Sequence, residues 1–219
     1  MTIQADRQVG AAAQPARAQP FTPESRGMVR ERYETENVFL AAIEQAEQIG
    51  SFNPRLAGSL NELAIVYAKQ HKYEQAERMF QRSLGVSVAA LGSDHPDVAI
   101  ILKNIGILKA FRKQYTEAEL LLGRSLSLTH RILGHEHPTV AVTMRTIALF
   151  QAVQGHHGEA ERFIRRSLEI SEKTLGAEHP ETAASRKVFA QIIRTRHRDT
   201  VAHQTASRVQ DENRICCGS

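Results

Sequence analysis

The chain has 219 residues, 42% of them apolar and 24% charged, which is enough for one sizeable core and excludes a broadly disordered protein. Its formal net charge of +4 comes from the two ends, because the central part is close to neutral, and aromatic residues are few. This distribution argues against a specific nucleic-acid binder, in which basic and aromatic residues gather on one face.

The cysteine and hydropathy patterns indicate a cytoplasmic protein. Cys216 and Cys217 are adjacent at the far end of the chain, where they can neither cross-link the core by a disulfide nor provide the separated ligands of a metal site. We therefore expect a reducing, intracellular compartment. No apolar run approaches the roughly 20 residues of a membrane span, and the first ten residues lack the apolar core of a secretory signal. We expect a soluble chain.

The N-terminal part divides into a lead and a helix. Residues 1–25 are rich in Ala, Gln, Pro and Arg and follow neither helical nor strand periodicity, so we predict a disordered lead. It would act as a tether or as an export signal, and the tether is favoured because the segment contains no evident signal that an export receptor would recognise. Over residues 26–53, apolar residues such as Phe39, Ile43 and Ala46 recur at helical spacing, which predicts an N-terminal helix packed on the next element.

The rest of the chain is built from a 42-residue repeat. Pro54, Pro96, Pro138 and Pro180 are 42 residues apart, and each follows a glycine by four positions. Three of these junctions are nearly identical, LGSDHPDVA, LGHEHPTVA and LGAEHPETA. Such self-similarity at a fixed period predicts a stack of repeated units, here residues 54–95, 96–137 and 138–179, whose function lies on the extended surface of the stack.

Each unit is predicted to be a pair of helices. The first begins at its proline, which is tolerated at the first helical position, and carries apolar residues such as Leu60, Leu63 and Ala64 three and four residues apart. A short turn follows, and the second helix carries Ala76 and Phe80 or their equivalents and ends at the next glycine. The fold class is all-α.

The order of these residues resembles the tetratricopeptide repeat, and the 42-residue spacing with the DHP sequence is similar to the kinesin light chain subtype. The resemblance covers about residues 54–193 and implies a right-handed helical-repeat solenoid of antiparallel helix pairs. Three features depart from the pattern: Lys109 and Gln151 replace Tyr67, His157 replaces Tyr73 and Tyr115, and no long heptad coiled coil precedes the repeats. A motor-subunit role is therefore not expected.

A capping helix and a flexible tail are predicted to end the chain. Residues 180–197 form the last helix, and Arg186 stands where the earlier units have Leu60 and Leu102. A polar outward face is what a terminal repeat requires. Residues 198–219 are predicted to be a flexible tail.

The resemblance implies that the first helices line a concave groove, on which two columns of residues stand out. Along the stack, one column begins with a polar residue and continues with three basic residues. The second column lies one helical turn further along the same helices and is apolar in the three repeat units. Successive helices pack roughly 8–10 Å apart, so these columns suit an acidic extended peptide with apolar anchors. The predicted peptide-binding residues are Asn61, Lys103, Arg145 and Lys187, with Ile65, Ile107 and Leu149.

Other interpretations of the same residues remain. The basic column is also explained by solvation or by pairing with nearby glutamates. A chaperone or an accessory factor of a secretion or assembly machine would use the same groove for unfolded clients, and the exposed stack ends allow self-association. His95, His137 and His179 are one period apart, too far to share a zinc ion, and are interpreted as turn residues. No nucleophile elbow or phosphate loop occurs, so we expect no enzyme, no metal and no cofactor.

Overall fold

The computed structural model describes the backbone of residues 23–216 and the side chains of residues 34–201 and of Thr205. Residues 1–22 of the predicted lead lie outside the described part, and so do residues 217–219, which include Cys217. Within the described part the chain forms eight helices and no strand: α1 Pro23–Ile49, α2 Pro54–Lys69, α3 Tyr73–Leu91, α4 Pro96–Phe111, α5 Tyr115–Leu133, α6 Pro138–Val153, α7 His157–Leu175 and α8 Pro180–Cys216.

The helices pack in consecutive pairs, α2 with α3, α4 with α5 and α6 with α7, and each pair packs on the next. Every first helix of a pair has 16 residues and starts at its proline, and every second helix has 19. The second helices end at glycines with φ of 82° to 88°, a conformation that other residues rarely adopt. The predicted all-α repeat stack is confirmed.

The residue before each proline caps the first helix of the pair. The Nδ1 atoms of His95, His137 and His179 accept a hydrogen bond from the backbone N–H two residues later, at 3.1–3.2 Å, as the Asn53 side chain does at 3.0 Å. This bond satisfies one of the donors that a helix N-terminus leaves free. The recurring histidines are therefore N-caps.

The N-cap hydrogen bonds predict that two substitutions of His137 differ in their effect on stability. The His137→Ala variant should lose about 1 kcal/mol of unfolding free energy, because it removes the acceptor, whereas His137→Asn should stay close to wild type, since Asn53 makes the same bond. Urea unfolding followed by circular dichroism would measure both. Equal losses in the two variants would contradict a capping role.

The core follows the predicted stripes and adds a repeated polar contact. Leu60, Ala64, Ala76 and Phe80 are at most 2% exposed, as the helical spacing predicts. A buried serine in each second helix donates a hydrogen bond of 2.7 Å to a carbonyl oxygen of the first helix: Ser83 to Ala57, Ser125 to Ala99 and Ser167 to Ala141. This bond fixes the register of every helix pair.

Substitutions that depart from the repeat pattern are compensated by new polar contacts. Lys109, in the place of Tyr67, binds Glu77 at 2.8 Å and Glu117 at 2.9 Å, and these hydrogen bonds raise the pKa of its ammonium group. In the next unit, Gln151 Oε1 lies 2.9 Å from Nδ1 of His156. The position therefore tolerates a polar residue when a neighbouring helix or turn supplies a polar partner.

Both terminal helices have bounds that differ from the prediction: α1 is shifted towards the N-terminus and ends at Ile49, and α8 is longer. Helix α1 starts at Pro23 rather than at residue 26, because proline fits the first helical position. Helix α8 continues to Cys216 instead of ending near residue 197, since residues 181–216 contain neither Gly nor Pro to stop it. Helix α1 packs on α2 much as α3 packs on α4, so it takes the place of the second helix of a preceding unit.

Candidate functional site

The first helices of the pairs form the inner layer of the stack. Helices α2, α4, α6 and α8 approach one another along the chain order, with Cα atoms within 8 Å. In the described part, no Cα atoms of the second helices α3, α5 and α7 come that close to one another. The first-helix layer is therefore the more tightly spaced side, which is what a curved stack has on its concave face.

The polar column on this layer begins with an internal hydrogen bond. Asn61 is only 8% exposed, and its Oδ1 accepts a bond of 2.9 Å from Nδ2 of Asn104 on the next first helix. Its own Nδ2 donates to Glu62 at 3.2 Å. The two asparagine side chains thus connect α2 to α4, and a ligand would meet an amide that is already oriented.

Arg145 is held by the last helix. Its guanidinium donates to the Glu181 carboxylate at 2.6 Å, to the Glu181 carbonyl at 3.0 Å and to the Ser185 hydroxyl at 3.2 Å. The Arg145 side chain is 16% exposed and that of Glu181 42%. The predicted role of Arg145 in ligand binding therefore competes with an intramolecular pairing that joins α6 to α8.

Lys103 is in a different situation from Arg145. Burial lowers the pKa of its ammonium group, and the nearby Arg145 lowers it further, while Glu181 acts in the opposite direction. Among the described residues, Lys103 forms neither an ion pair nor a side-chain hydrogen bond. Lys187, at the same position of α8, is exposed and likewise forms neither within the described part. These two cations are the members of the column that remain free to meet an anion.

The apolar column borders a cavity. Ile65 of α2 and Ile107 of α4 are partly buried and line a space of about 360 Å³ whose walls are mostly apolar. Phe111, at the end of α4, is 65% exposed and completes the wall together with Tyr73 and Phe80. Leu149, the third predicted apolar residue, does not border this cavity and is 39% exposed on α6.

Three contributors were not singled out from the sequence. Asn104 orients Asn61, and Phe111 and Val153 are large apolar residues that are 65% and 74% exposed. Phe111 and Val153 are 42 residues apart, one helical turn after Ile107 and Leu149. Extending the columns by one further turn would have found both, because they occupy the last position of their first helices.

The described residues contain no grouping of three or more His, Cys, Asp or Glu side chains suited to hold a metal ion. None of the helices in that part of the chain combines the length and the apolar character needed to cross a membrane.

Comparison with known proteins identifies the same kind of repeat. A sequence profile of the tetratricopeptide repeat matches residues 55–130, 109–173 and 139–210. No curated protein sequence shows a significant match.

Solved structures share the fold at low sequence identity. The structure of BtubC (BKLC) from P. vanneervenii is 15% identical, with a TM-score of 0.66 over 90% of this chain and 78% of the other. The TPR-like repeats of a Podosopora anserina protein described as a kinesin light chain are 22% identical, with a TM-score of 0.56 over 85% of this chain and 92% of the other. A variant of that protein gives a TM-score of 0.57.

Proposed function

Because this chain belongs to the tetratricopeptide repeat family, we propose that it is a non-catalytic adaptor that captures an extended, acidic peptide segment on its first-helix layer. Repeat stacks of this kind are protein-interaction scaffolds, and their binding surfaces extend along the stack. The peptide would place apolar side chains against Ile65, Ile107 and Leu149 and acidic side chains near the free lysines.

The observation that carries the proposal is the state of Lys103. A cation that is largely removed from water and close to a second cation is disfavoured unless an anion compensates it. Glu181 supplies part of this compensation but is already engaged by Arg145. A carboxylate of a bound peptide would supply the rest, so the folded protein keeps a charge whose partner arrives from outside.

The spacing of the surface fits an extended chain. First helices of neighbouring units pack roughly 8–10 Å apart, and an extended peptide advances about 3.3–3.6 Å per residue. Every third ligand residue would therefore meet the next unit of the stack. The cavity of about 360 Å³ beside Ile65 and Ile107 receives an apolar ligand side chain one helical turn from the polar column.

A chaperone for partially unfolded clients, or an accessory factor of a secretion or assembly machine, is the second candidate function. It is favoured by the exposed Phe111 and Val153, which extend the apolar column without any charge. The two functions differ in salt dependence. Binding of acidic peptides should weaken as salt rises, because exposed charges are screened, whereas capture through apolar contacts should not.

Selection from a random peptide library on the purified full-length protein tests the proposal. We expect wild type to enrich sequences that contain acidic residues at about every third position next to apolar residues. The groove variant Lys103→Glu/Lys187→Glu should lose these sequences. The control Arg78→Glu/Arg124→Glu makes the same charge change at exposed positions of the second helices α3 and α5 and should keep them.

Circular dichroism must first show that the three proteins are equally folded. Enrichment of the same peptides by the groove variant, or equal losses in both variants, would contradict the proposed site. Enrichment of purely apolar sequences that resist salt would favour the chaperone.

A further inference from the structure

The 42-residue repeat assigns an equivalent pair of residues to each junction between units. One residue belongs to the polar column of a first helix, and the other is the second residue of the next first helix, 36 positions later. The pairs at the first, second and third junctions are Asn61 with Asp97, Lys103 with Thr139, and Arg145 with Glu181. The first pair has a carboxylate but no cation, the second a cation but no carboxylate, and the third has both.

The third junction shows how a carboxylate binds a cation of this column. Arg145 donates hydrogen bonds to the carboxylate and the carbonyl oxygen of Glu181 and to the hydroxyl of Ser185. At the second junction, Thr139 stands in the place of Glu181 and Thr143 in the place of Ser185. The carbonyl and hydroxyl acceptors are therefore kept, and the Thr143 hydroxyl donates to the Thr139 carbonyl oxygen at 3.0 Å. Of the three acceptors, the second junction lacks the carboxylate.

Lys103 is the cation that lacks this carboxylate. Its side chain is partly buried, and within the described part of the chain it forms neither an ion pair nor a side-chain hydrogen bond. Lysines withdrawn from water normally have a partner for their charge. The carboxylate of Glu181 favours the charged form of Lys103 but is bound to Arg145, whose own charge disfavours it. A further anion at the second junction would therefore meet an unpaired cation.

We propose that a carboxylate of the bound peptide takes, beside Lys103, the place that the Glu181 carboxylate takes beside Arg145. This inference rests on the proposed function and adds a determinant of specificity to it. The second residue of the following first helix decides whether a junction accepts a carboxylate from a ligand. Thr139 leaves the second junction open, whereas Glu181 closes the third junction from within the chain.

The first test transfers the carboxylate of the third junction to the second. In the full-length protein, Thr139→Glu supplies the carboxylate, Thr139→Gln has the same length without the charge, and Lys103→Met removes the cation. At neutral pH, Thr139→Glu should unfold at a higher urea concentration than Thr139→Gln, because the Lys103 ammonium group gains an ion pair. The gain should be smaller in the Lys103→Met background, where the new carboxylate interacts only with the N-terminus of α6. This double-mutant cycle isolates the pair.

The second test measures peptide binding by fluorescence anisotropy. The probe is a fluorescein-labelled peptide of four Leu-Ser-Glu repeats, and its neutral counterpart carries Gln in place of Glu. We expect wild type to prefer the acidic peptide. Thr139→Glu should weaken binding of that peptide by about 10- to 100-fold, because its own carboxylate takes the site, whereas Thr139→Gln should bind like wild type. Glu181→Thr should bind the acidic peptide more tightly, since Arg145 becomes available.

The possible failures are distinguishable. Equal stability gains with Lys or Met at position 103 would show that a carboxylate at position 139 does not reach the ammonium group, which overturns this inference and leaves the proposed function intact. Equally tight binding of the acidic peptide by Thr139→Glu and Thr139→Gln, or no gain from Glu181→Thr, would do the same. Equal binding of the acidic and neutral peptides by wild type would overturn the capture of acidic peptides, and this inference with it.

Discussion

Replacing Arg145 with methionine should lower the free energy of unfolding by about 2–3 kcal/mol, because the variant loses three hydrogen bonds from a guanidinium to Glu181 and Ser185. Methionine replaces the aliphatic stem of the arginine side chain but not its guanidinium, so the loss mainly reports the polar contacts. The effect should concentrate at the junction of α6 and α8. Amide hydrogen exchange in residues 180–195 should accelerate before that of α2 or α4.

The matched control is Arg162→Met, which removes an exposed ion pair with Glu159 one turn away on α7. Such a pair contributes at most about 0.5 kcal/mol, so the stability of this variant should stay near wild type. If Arg145→Met were as stable as wild type and bound the selected peptides poorly, Arg145 would be a ligand residue rather than a link between helices.

Replacing Lys103 with methionine should have the opposite effect on stability. The folded protein would no longer hold a desolvated ammonium group close to Arg145, so the variant should unfold at a higher urea concentration than wild type at neutral pH. Binding of the selected acidic peptide should weaken by about 10- to 100-fold, because one charge-assisted hydrogen bond is lost. Fluorescence anisotropy with the labelled peptide measures the second change.

The pH dependence of this difference follows from the lowered pKa. Lys103 loses its proton in the folded state at a lower pH than in the unfolded state. Its charge therefore opposes folding at neutral pH, and this opposition declines as the pH rises from the folded-state pKa to the unfolded-state pKa, above which it is absent. The stability advantage of Lys103→Met should shrink in alkaline solution. An advantage that grows with pH would contradict the burial of this charge.

The sequence was sufficient to place the predicted site residues on one layer, but not to assign their partners. Asn61, Lys103, Arg145 and Lys187 are one period apart, and a repeat stack brings such positions to the same surface. Their environments differ because each depends on residues of neighbouring units. Asn61 meets Asn104, and Arg145 meets Glu181 across 36 residues. Periodicity carries no information on such pairs.

The ends of the chain show the same limit. Between residues 54 and 180 every first helix starts at a proline and every second helix ends just before a glycine, because these caps are decided by adjacent residues. Residues 181–216 contain no glycine or proline, and the predicted boundary at residue 197 does not coincide with the end of α8. There the helix continues because residues 181–216 contain neither Gly nor Pro, and Arg196 and Asp199 in its middle pair with Glu161 and His157 of α7.

The sequence by itself therefore determined the all-α repeat architecture, the helix pairs with their buried stripes, and the layer that carries the predicted site residues. These features follow from local backbone preference and from apolar spacing repeated every 42 residues. Only the tertiary structure decided that Arg145 is engaged by Glu181, that Lys103 and Lys187 have no side-chain partner among the described residues, and that Ile65 and Ile107 border one cavity. Those outcomes depend on distances and burial between separate helices, which a linear pattern does not contain.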